Sequence, residues 1–87
     1  MDQDNFYRSI VQLICNQAID HDPEQLANSL YFFMKQHPEN VKVDKAWGDM
    51  LRNIKVLLTK HLCWEMIEVH RLFVKLSKLT KYMKKST

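Results

Sequence analysis

Eighty-seven residues, 46% of them apolar and 26% charged, describe one foldable helical domain spanning 1–87, with a core that is thin for its surface. One glycine and two prolines exclude both a turn-rich β fold and a disordered chain. The net charge of +3 is split: residues 1–40 hold six acids and two bases, whereas residues 41–87 hold eleven bases and four acids, a polarity that favours head-to-tail pairing of copies or an acidic partner.

From Asn5 to about Ile19, the apolar residues Phe6, Ile10, Leu13, Ile14 and Ala18 recur every three or four positions, which predicts a helix. Asp4 is its expected N-cap. Cys15 lies within that helix beside Ile14 and Ala18, where a thiol is expected to behave as a small hydrophobe. The run Asp22-Pro23-Glu24-Gln25 marks a second helix: Asp22 caps, Pro23 fits the first helical position, and Gln25 completes the box. Leu26, Ala27, Leu30, Phe33 and Met34 share one face of it. The helix is expected to stop by His37, because a following proline disfavours helical geometry.

A loop is expected from Pro38 to Val43, and then a third helix capped by Asp44 with Trp47, Leu51, Ile54 and Leu58 buried. The rhythm resumes through Leu62, Met66, Val69, Phe73, Leu76, Thr80 and Met83, but between Leu58 and Leu62 it slips by one residue, the size of a stutter. Two architectures accommodate this. Helices 3 and 4 either merge into one C-terminal helix of about forty residues, reaching ~60 Å, or break near Lys60–Cys63. The break is preferred, since a compact bundle buries more of the apolar face. The expected fold is therefore all-α, a small antiparallel bundle of three or four amphipathic helices.

One core does not use all the hydrophobics. On a wheel at ~100° per residue, Phe32 falls opposite Leu30 and Met34, and Val56 opposite Trp47 and Leu58. Cys63, Ile67, His70 and Val74 form a second stripe away from the core. A row of apolar side chains at helical spacing marks contact with another chain. The leading expectation is thus a noncatalytic protein-binding module (an adaptor, inhibitor or small regulatory subunit) that also self-associates as a homodimer through Phe32, Cys63, Ile67 and Val74.

The alternative comes from HRLFVKLSKLTKYMKK, residues 70–85, which contains no acid. Arg71, Lys75 and Lys78 share the face opposite the core with Trp64 and Tyr82 among them, and Lys81 and Lys85 widen it. Alternating cations and aromatics suit phosphates and unpaired bases, and equally an anionic membrane surface. Lysine outnumbers arginine five to one across residues 71–85. Arginine's bidentate fork is what reads base edges, so nucleic-acid binding here would be nonspecific. A solvated helix face explains the same lysines, which the C-terminal dipole favours.

Catalysis and metal binding are not expected. HLCWEMIEVH holds metal-ligand types, yet on a helix His61 and Cys63 point ~200° apart, and Cys63 and His70 lie two turns apart. Zinc needs its ligands within ~2.3 Å. The histidines form no His-Glu-x-x-His, and Gly48 alone makes no phosphate loop. No cofactor is implied. The longest apolar run, Leu30 to Met34, is too short for a membrane span. MDQDN lacks the pattern of a secretory signal, so a cytoplasmic setting with free thiols at Cys15 and Cys63 is expected.

Overall fold

The first helix begins two residues earlier than its sequence suggests. In the computed structural model, which describes residues 1–42 and 44–85 with side chains up to residue 83, α1 spans Gln3–Gln17. Asp2, not Asp4, is the cap. Its carboxylate accepts from the Asn5 amide at 2.8 Å and from the Asn5 side chain at 2.9 Å, a double hold that Asp4 has no equivalent for. Asp4 instead sits in the first turn, where its charge complements the helix dipole. Phe6, Ile10 and Ile14 are buried, and a 3₁₀ turn, Ala18–Asp20, adds Ala18 to the core. Cys15 does not join them. It lies ~100° on from Ile14, which carries its thiol into solvent rather than the apolar environment expected.

The second helix, α2 (Pro23–Gln36), follows its signals closely. Asp22 accepts from the Gln25 amide at 3.2 Å, Pro23 occupies the first turn, and the helix ends before His37. Leu26, Ala27, Leu30 and Met34 are buried, and Phe33 stacks on Phe6 of α1 with ring centroids 5.3 Å apart. The expected loop after it contains a helical turn, α3 (Pro38–Val41), that buries Asn40 and Val41. The Asn40 amide donates to the Met1 carbonyl and to Gln3 Oε1, each at 3.0 Å, and so ties the N-terminus to this connection.

Asp44 is inside α4 (Asp44–Val56) rather than its cap. The buried arc of α4 runs through Met50 and Ile54 to Leu58, with Trp47 and Leu51 packed at its edge. At Leu57–His61 the chain widens into a π-helical turn, with Leu62 N–H donating to the Leu57 carbonyl at 3.1 Å. Cys63 then adopts a left-handed conformation, φ 59°, and Trp64 N–H closes back on the Leu58 carbonyl at 2.8 Å. This resembles a Schellman stop enlarged by one residue. It is where the slipped rhythm is absorbed.

Beyond the break, α5 (Met66–Lys85) packs mainly on α2. Its buried residues are Val69, Leu72 and Leu76, flanked by Phe73 and Met83. Met66, expected in the core, is exposed, and Leu72 takes a place in its stead. Met66 is the first residue of α5 and lies ~90° around the helix from the centre of the buried arc, whereas Leu72 lies within ~60° of both Val69 and Leu76. The molecule is an all-α helical bundle measuring 34 × 24 × 20 Å, which has no room for a ~60 Å rod. No helix among the described residues is long and apolar enough to cross a membrane.

Candidate protein-binding surface

The break decides which of the expected surface residues are on the surface. Because Cys63 and Trp64 leave helical geometry, Trp64 turns inward and is 3% exposed. Its indole N–H donates to the Ala18 carbonyl at 3.1 Å, and its ring stacks on His21 at 5.4 Å between centroids. Trp64 is therefore core, not a stacking platform among the cations. The wheel placed it outward only by extending α5 four residues too far back.

Around Trp64 the two chain reversals lock together. His21, itself left-handed at φ 51°, lies 3.0 Å from Glu68 Oε2 through Nδ1. Glu68 Oε1 accepts from the Glu65 backbone amide at 2.8 Å, the returning half of a capping box at the start of α5. That amide bond holds the Glu68 carboxyl below the ordinary glutamate range, with His21 adding to the effect against partial desolvation. Nothing in the sequence pairs His21 with Glu68, which lie 47 positions apart. The slip at Leu58 to Leu62 was the available signal that Trp64 leaves the helix.

Cys63 falls off the apolar stripe for the same reason. It is exposed, but in the break rather than on α5. What remains on the outward face of α5 is Ile67, 57% exposed, and Val74, 39% exposed, two helical turns apart with His70 and Arg71 between them. Val74 lines a groove of about 600 Å³ between α5 and the first turn of α2. Asp22 and Glu24 form one wall of it, and Arg71, Lys75 and Lys78 the other.

Phe32 is 66% exposed but belongs elsewhere. It lines a separate depression between α1 and α2 together with Leu13 and Phe33. Val56 faces a third, between α1 and α4, with Tyr7 and Val11. The structure thus leaves the surplus hydrophobics outside, as the wheel anticipates, but does not gather Phe32, Cys63, Ile67 and Val74 into one patch. The pair it does bring onto one face is Ile67 and Val74.

No family model, no curated protein and no solved structure matches this chain.

The basic residues divide in the same way. Arg71, Lys78, Lys81 and Tyr82 are exposed, Lys75 is half-buried in the groove, and the side chain of Lys85 lies outside the described residues. Removing Trp64 takes one aromatic from the expected platform. The acids of α2 also stand across the groove from Arg71 and Lys78, which weakens that stretch as a phosphate track. Among the described residues no three histidine, cysteine or acidic side chains converge in a way that could hold a metal ion. Glu65, which would partner His61 one turn on, lies in the irregular segment before α5.

Proposed function

We propose that this protein is a noncatalytic helical protein-binding module that associates with itself, and that the outward face of α5 is its contact surface. The observation that carries this reading is the joint exposure of Ile67 and Val74 at helical spacing, on a helix whose opposite face already fills the core with Val69, Leu72 and Leu76. A small monomer has no structural need for such a row, whereas an interface does. The groove that Val74 lines holds no serine, threonine or cysteine, and the depression around Phe32 holds no histidine or acid.

The test replaces Ile67 and Val74 with serine together. Sedimentation velocity should show the associated species replaced by monomer, while far-UV circular dichroism is unchanged. Parent-like sedimentation of the double variant would remove the reading.

A second reading keeps the exposed cations Arg71, Lys78 and Lys81 with Tyr82 as a nonspecific nucleic-acid surface. It expects retardation of DNA or RNA at low salt, and a log–log salt slope that shrinks by about one for each cation removed. Absence of retardation at low salt leaves these lysines as a solvated face.

A further inference from the structure

We infer that the groove between α2 and α5 is the seam of a two-fold dimer, in which each copy lays its acidic wall on the basic wall of the other. This rests on the self-association proposed above and adds to it a face, a partner and a symmetry.

Asp22 and Glu24 stand on one side of the groove and Arg71, Lys75 and Lys78 on the other. Facing rows of opposite sign within one molecule normally close into ion pairs, yet among the described residues no ion pair crosses this groove. Asp22 is engaged instead by the Gln25 amide, as the cap of α2. The two rows are thus held side by side and both remain open to a partner.

A surface divided into an acidic and a basic half is complementary to itself. Turning a second copy about an axis that runs along the dividing line exchanges the halves, so that acid meets base on both sides at once. That is the isologous contact of a closed two-fold dimer. A foreign protein would have to carry the same two rows in the opposite order. A second copy already does.

The apolar residues fit the same arrangement. Val74 lines the groove and Ile67 continues its stripe toward the start of α5, so both enter the contact when the walls meet. The groove's lining on α5 runs from His70 to Lys78, ~12 Å of helix, and the contact extends beyond it over Ile67 toward the ~800 Å² that each partner commonly buries. This is a modest part of the 5737 Å² that the chain exposes.

The experiment uses Glu24→Lys and Lys78→Glu, each in the full chain, alone and mixed in equal amounts. Asp22 is left intact because it caps α2. Each single variant places like charge on like charge at both ends of the contact, so its dimer should dissociate at least ~10-fold more readily than the parent's. The mixture should recover a dimer, because the reversed charge at position 24 of one variant then meets the reversed charge at position 78 of the other, while Lys78 of the first still meets Glu24 of the second. The double variant should dimerise by itself. Circular dichroism of each single variant confirms that α2 still forms.

Three results overturn the inference. If the single variants dimerise as the parent does, the copies meet through another face, and the binding-module reading survives without this seam. If the singles are monomeric but mixing restores nothing, the walls do not oppose one another. If the parent itself stays monomeric, self-association falls and this seam with it.

Discussion

Trp64 and Val74 lie ten residues apart, and a single uninterrupted helix would expose both. One ends in the core and the other on the surface. Trp64 is sealed under His21 with its N–H on the Ala18 carbonyl, while Val74 faces a groove between charged walls. The difference comes from one local event, the π-helical turn and left-handed Cys63 that separate α4 from α5. A break of a few residues reassigns a large aromatic from surface to core, and leaves the next apolar stripe without a place inside. The junction is fixed by hydrogen bonds and packing. The outer face of α5 is where the fold leaves chemistry unused.

Substitutions separate these two regions by size of effect. Trp64→Ala should be the most damaging, costing ~3–5 kcal/mol, a large share of the ~5–15 kcal/mol that holds a typical domain folded. Urea unfolding measures it. A loss below ~1 kcal/mol would mean that the junction is not the keystone described. Cys63→Gly should act in the other direction. Glycine adopts a left-handed backbone without the penalty of a Cβ, so stability should rise by ~1 kcal/mol, whereas Cys63→Val should lower it. Equal midpoints for the two variants would argue against the left-handed stop. On the outer face, Ile67→Ser and Val74→Ser should each change stability by less than ~0.5 kcal/mol while weakening association.

Acidity probes the junction more gently. The Glu68 carboxyl is held below its unfolded range by the Glu65 amide and by His21. A depressed carboxylate contributes stability that is complete above its unfolded value of ~4.3 and is lost as pH falls through the lower folded value. Glu68→Gln should therefore flatten the acid limb of the stability–pH curve below about pH 5. An unchanged acid limb would show that Glu68 is not under this constraint.

Much of the fold was legible. Helix identity, the Asp22-Pro23 start of α2, its stop before Pro38 and the break after Leu58 follow from spacing, caps and the one-residue slip, all of them local features. The misplacements were also local in origin but tertiary in outcome. Asp2 displaced Asp4 because only Asp2 has Asn5 holding both of its oxygens. Met66 is outside the core because it opens α5 ~90° from the buried arc that Leu72 shares with Val69 and Leu76. The candidate surface was half legible. Periodicity identified Ile67 and Val74, but it also included Cys63, which assumed an unbroken helix, and Phe32, which sits on another helix facing another depression. The acidic wall opposite Arg71 and Lys78 had no sequence signal at all, since it depends on how the start of α2 lies against α5.

We propose that a second copy of the chain covers the outer face of α5. Sedimentation equilibrium of the parent chain across a concentration series tests it most directly. The mass should rise toward twice the chain's 10.5 kDa as concentration increases, and fall back as added salt screens the walls. A mass that stays at 10.5 kDa throughout, with Ile67 and Val74 still open to solvent, contradicts it.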